Sequence, residues 1–101
     1  MSIRHVVSWR LAATDPAEKA EHADRLIAGL EALVGVVDDI RSLTVGVDVG
    51  GADNWDVVLI ADFDDLDAVV RYQVHPEHQK VGTFIRSVVS QRMAVDIDIE
   101  L

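Results

Sequence analysis

An α+β fold with its elements in the order βαββαβ is what the sequence predicts, and three observations carry it. The chain begins and ends on stretches that alternate in polarity, Ile3 to Arg10 and Val95 to Leu101. Between them, two segments carry apolar residues at helical spacing, each preceded by an aspartate placed to cap it. Gly50-Gly51 lies between two further β-rich stretches, where a hairpin needs flexible residues.

In the first strand Ile3, His5, Val7 and Trp9 point one way, and Arg4, Val6, Ser8 and Arg10 the other. Asp15-Pro16-Ala17-Glu18 then reads as a helix start. Asp15 is the N-cap, Pro16 takes the first helical position, and Glu18 is placed to close a capping box. Ala23, Leu26, Ile27, Leu30, Leu33 and Val34 recur along one helical face, and Gly35 suits the position just past the end. Ile40 to Val49 reads as the second strand, with Leu43, Val45, Val47 and Val49 on one face. A loop through Asn54 feeds the third strand, Trp55 to Phe63. Asp64 or Asp65 caps a short helix carrying Leu66, Val69, Val70 and Val74. His75-Pro76 interrupts it, because a residue before proline avoids the α region. A second helical piece from Pro76 carries Val81, Phe84, Ile85, Val88 and Val89. In the last strand Val95, Ile97, Ile99 and Leu101 alternate with Asp96, Asp98 and Glu100.

This split βαβ order is ferredoxin-like, with both helices on one face of a four-stranded antiparallel sheet. The helices are expected to cover the odd-numbered apolar positions. The other face then collects Arg4, Val6, Arg10, Thr44, Val58, Ile60, Asp62, Asp96 and Asp98. Its centre is too apolar for a bare sheet face, and two such faces could close on each other as a barrel. Arg4 and Arg10 would then need partners among Asp62, Asp96 and Asp98, since unpaired charges facing a closed interior are costly.

A length of 101 residues fits one domain, residues 1–101. Half the residues are hydrophobic and 27% are charged, a globular composition rather than a disordered one. Nine basic residues stand against eighteen acidic ones, a net charge of −9. With no cluster of lysine and arginine, neither a nucleic-acid partner nor an anionic membrane surface is expected. No apolar run approaches the roughly 20 residues that span a bilayer, and the opening residues do not read as a secretory leader. The absence of cysteine excludes disulfides, thiolate nucleophiles and cysteine-ligated metals, and is compatible with the expected cytoplasmic location.

Chemistry concentrates around the His75-Pro76 break. His78 is the third residue of the helix that starts at Pro76, where unpaired N–H groups disfavour an imidazolium. A neutral histidine there can accept a proton. Tyr72 has a phenol able to donate a hydrogen bond to a developing enolate oxygen. His5 lies mid-strand on the helix side beside Trp9, so an apolar pocket with a few polar groups is expected. His75 and His78 flank Glu77, but no third ligand, HExxH or cysteine set accompanies them, and no metal site is expected. Phosphate-binding glycine loops and nucleophile elbows are absent from the sequence, and no cofactor is expected.

The opening Ile3-Arg4-His5-Val6-Val7 and, above all, Tyr72-Gln73-Val74-His75-Pro76-Glu77-His78 resemble the stress-responsive A/B barrel domain family of the dimeric α+β barrel superfamily. The resemblance covers the whole chain in length, element order and motif position. It implies a homodimer whose two sheets form a barrel with the helices outside. It also extends to a branch of plant polyketide cyclases, olivetolic acid cyclase among them, which closes rings by an aldol-type reaction without cofactor. That branch implies Tyr72 and His78 as general acid and base and His5 as a pocket histidine, and the pocket reading adds Trp9 and His75 as substrate-binding residues. The sequence departs from the cyclase at Val57, where that enzyme has another histidine, and in lacking aromatic residues on the first helix. Two functions follow as expectations: a homodimer whose apolar pocket binds a small organic molecule, and a cofactor-independent cyclase-like lyase.

Overall fold

The protein is described from a computed structural model covering residues 1–100. Leu101, assigned above to the last strand, lies outside the described residues. The elements are β1 (Ile3–Leu11), α1 (Pro16–Glu31), β2 (Ser42–Val47), β3 (Val57–Phe63), α2 (Leu66–Val74), α3 (Pro76–Val88) and β4 (Val89–Asp98). The sheet is ordered β2-β3-β1-β4 with every neighbour antiparallel. This is the ferredoxin-like βαββαβ arrangement, with the helices on one face. None of the helices among the described residues is long and apolar enough to cross a membrane.

Local chemistry sets the helix starts. Asp15 caps α1 by accepting from the Glu18 amide at 3.0 Å, and Asp65 caps α2 by accepting from the Ala68 amide at 2.8 Å. Asp64 instead binds the Arg41 guanidinium through both carboxylate oxygens. His75 separates α2 from α3 with φ −60° and ψ 135°, the extended conformation proline imposes on its predecessor. Gly29 of α1 meets Val81 of α3 closely enough that a Cβ there would stand 3.1 Å from a valine methyl.

The core lies between the helices and the inner face of the sheet. Ile3, His5, Val7 and Trp9 all point into it, as their alternation predicts. They meet Leu26 and Leu30 of α1, Leu59 and Phe63 of β3, and Tyr72 of α2, all buried.

Several element details differ from the sequence reading. Helix α1 ends at Glu31, and Gly35 takes its positive φ of 84° in the turns that follow, leaving Val34 exposed. Strand β2 stops at Val47, because Asp48 folds the chain into its loop by accepting from the Gly51 amide at 2.7 Å. Val49 therefore stands outside the sheet, 97% exposed. In α2 the core stripe is Ala68, Val69 and Tyr72, while Leu66, Val70 and Val74 form an exposed stripe.

The largest correction concerns β4. Leu11 pairs with Val89 but Arg10 pairs with Gln91, so Ser90 is an extra residue in the ladder. One inserted residue exchanges the two faces of everything beyond it. Asp96 consequently stands across from His5 on the helix side, while Val95 and Ile97 stand beside Val6 and Arg4 on the outer face. That outer face gathers Val6, Val58, Ile60, Met93, Val95 and Ile97, a broader apolar surface than the sequence reading gave it. Arg4 clamps Asp62 there with two bonds of 2.9 and 3.0 Å, holding that carboxyl below its ordinary range. Among the described residues Arg10 finds no carboxylate; it donates to the Asp53 carbonyl and lies over the Trp55 ring.

Candidate functional site

A cavity of about 360 Å³ opens between α3, the end of α2 and the inner face of β1 and β4. Its walls include Val7, Leu30, Leu59 and Ile85, and four of the five residues singled out from sequence border it: His5, Trp9, Tyr72 and His78.

Tyr72 projects from the core stripe of α2 and is 1% exposed. Its ring touches Phe63 at 5.0 Å between centroids and meets His5 edge-on at 6.1 Å. Its hydroxyl is buried without a hydrogen-bond partner among the described residues. Burial pushes its ionisation up to about 12, slightly opposed by the charge of Arg92. At neutral pH it is a phenol with a free proton to donate.

His78 lies on α3 with its ring edge-on to Tyr72, 4.4 Å between centroids. Its pKa is lowered below the ordinary histidine value chiefly by burial. The Gln73 backbone pulls upward, while His5, Arg92 and Arg86 push further down. The direction agrees with the sequence reading, but loss of water, rather than the helix terminus, is the main cause.

His5, 2% exposed, holds its Nδ1 2.5 Å from the Asp96 carboxylate directly across on β4. A carboxylate only accepts, so Nδ1 carries the proton of that bond and the ring is fixed against the cavity wall. Asp96 was assigned above to the opposite face, and the Ser90 bulge brings it here.

His75 does not border the cavity. Its Nδ1 accepts from the Glu77 amide at 3.1 Å, so its ring caps α3. Val57 lies buried in β3, paired with Trp9, and is likewise not among the residues bordering this cavity.

Three polar lining residues escaped the sequence reading: Gln73, Arg86 and Arg92. Arg86 was legible, because His78, Gly82 and Arg86 recur every four residues and share a helical face. Arg92 was not, since its side depends on the bulge. Among the described residues no three histidine, aspartate or glutamate side chains converge on a metal position.

The family described as Stress Responsive A/B Barrel Domain matches residues 3–99. No curated protein matches the chain. Among solved structures, a dimeric protein of unknown function with a ferredoxin-like fold from Bacteroides fragilis NCTC 9343 superposes with a TM-score of 0.90 at 29% identity, over 97% of this chain and 96% of that one. A dimeric ferredoxin-like protein of unknown function from Thermobifida fusca YX gives 0.84 at 29% identity, over 98% and 92%. The hydroxynitrile lyase of Passiflora edulis gives 0.80 at 15% identity, over 99% and 96%, a likeness of fold alone.

Proposed function

The chain belongs to the stress-responsive A/B barrel domain family, and from that premise we propose that it acts as a homodimer whose cavity takes up a small organic molecule. The dimeric relatives support the assembly. So does the outer sheet face, where Val6, Ile60 and Val95 form one row across three strands. The cytoplasm is its expected compartment.

The observation that carries the ligand reading is the Tyr72 hydroxyl. A buried donor without a partner costs about 1–3 kcal/mol, and a ligand oxygen in the cavity would satisfy it. Apolar walls with a few converging polar groups are the usual make-up of such a site. The test is Tyr72→Phe, which removes only that oxygen. The unliganded variant is expected to be at least as stable as the native protein. Its thermal stabilisation by small aryl and alkyl ketones should be much reduced. Ketones that stabilise both proteins equally, or neither, would count against the proposal.

A second reading is favoured by the Tyr72–His78 ring contact. In it the cavity performs cofactor-independent, cyclase-like lyase chemistry. Neutral His78 removes a proton from a carbon beside a carbonyl, and Tyr72 donates to the resulting enolate oxygen. The enolate carbon attacks a second carbonyl of the same molecule, and the proton held by His78 is returned to the new alkoxide. Atoms and electrons balance without a redox partner.

A further inference from the structure

The cavity has a cationic end that the preceding readings leave unused. Of the nine lysines and arginines, five pair with carboxylates: Arg4, Lys19, Arg41, Arg71 and Lys80. Arg10 and Arg25 lie over the rings of Trp55 and Phe84. The two that remain are Arg86 and Arg92, which among the described residues have neither carboxylate nor ring, and both border this cavity. In a chain with eighteen acidic residues, two cations left unpaired at one place point to an anion from outside.

The backbone has put them there. The Ser90 bulge turns Arg92 to the helix side, opposite Trp9. Arg86 folds back along α3 over Gly82, where a Cβ would stand 3.2 Å from its Nη1. Among the described residues its one side-chain bond is to the Thr83 hydroxyl, at 3.3 Å. The charges of both arginines reach His78, and that of Arg92 reaches Tyr72.

We infer that the molecule this cavity takes up is an organic anion, with a carboxylate or phosphate held by Arg92 and Arg86 and an apolar body lying along Val7, Leu30 and Leu59. This rests on the small-molecule reading above and adds the charge of the ligand. A guanidinium matches two oxygens of either group in one plane. The net charge of −9 repels anions at a distance, so capture requires a local pair of cations.

The experiment is calorimetric titration with octanoate, heptyl phosphate and octanamide, which share a heptyl tail and differ in the head. Native protein, Arg86→Gln and Arg92→Gln are compared. At least one anion should bind roughly tenfold or more tightly than the amide, the factor expected for a charge-assisted hydrogen bond. Each arginine variant should lose most of that preference, weakening the anions far more than the amide, and the tighter anion identifies the head group. Equal binding of the three probes, or arginine variants that keep the preference, overturns the inference and leaves the pocket reading standing. No binding of any probe to native protein overturns both.

Discussion

Tyr72 and His78 stand on different helices, and their rings nevertheless meet edge to face at 4.4 Å. On one continuous helix, side chains six residues apart would diverge by about 240° around the axis. The extended residue His75 and the proline after it turn the chain between them, so α2 and α3 bring both rings to one cavity. The break in the helix is thus what assembles the pair.

His75→Ala tests the structural half of that relationship. The ring of His75 satisfies the Glu77 amide at the start of α3. Removing such a cap costs about 0.5–2 kcal/mol. Urea unfolding should register that loss, whereas ligand affinity at the cavity should stay within about twofold, since a surrounding held by unchanged contacts shifts it by only a few tenths of a kcal/mol. A large loss of affinity in a folded variant would return His75 to the binding site.

Val95→Asp tests the assembly. Val95 stands beside Val6 on the outer face, and a dimer closing there should bury about 1,200 Å² or more. A carboxylate placed in that surface without a partner should split the dimer, because burying an unpaired charge costs several kcal/mol. Sedimentation should find a dimer for the native chain and a monomer for the variant. A native monomer at micromolar concentration would contradict the proposed assembly.

Where a structural choice was local, the sequence made it visible. Asp15, Asp65 and the His75-Pro76 break act on their immediate neighbours, and the helix starts follow from them. Strand β1 alternates without interruption, so the inward direction of His5 and Trp9 could be read directly. The β4 faces could not be, because Ser90 becomes an extra residue only when β4 pairs with β1. That single shift hid Arg92 from the cavity, Asp96 from His5 and Val95 from the outer face. In α2, Leu66, Val70 and Val74 repeat as regularly as the core stripe, and only packing against the sheet decides which stripe faces inward.

Tyr72 and His78 should shape stability at opposite ends of the pH scale. His78 has its pKa lowered on folding, so the unfolded chain binds its proton more readily. Its contribution is complete above the ordinary value near 6.5 and is lost as pH falls toward the lowered native value. Tyr72 behaves in the opposite sense. Raised from 10.0 to about 12, it contributes fully below pH 10 and loses that contribution as pH climbs to about 12. The shift corresponds to about 2–3 kcal/mol. Urea unfolding of native protein across both windows should fall at each limb. His78→Gln should flatten the acid limb, and Tyr72→Phe the alkaline one. Variants that leave both limbs unchanged would mean that neither group titrates differently on folding.

The lyase reading makes the sharpest demand. If His78 takes a proton beside a carbonyl and Tyr72 donates to the enolate oxygen, both act on one transition state. General acid–base groups typically contribute about 10²–10⁴-fold. His78→Ala and Tyr72→Phe should therefore each lower kcat on a linear poly-ketone by that order. The double variant should lose little more than the worse single one, since two groups acting on one transition state are not additive. Asp96→Asn should have a different signature. It leaves the reacting groups in place but weakens the hold on His5, so it should alter KM more than kcat. Mass spectrometry of the poly-ketone before and after incubation supplies the readout, with sedimentation confirming that each variant remains dimeric. If the native protein binds the poly-ketone and returns it unchanged, the cavity is a binding site and the proton-transfer roles of Tyr72 and His78 fall.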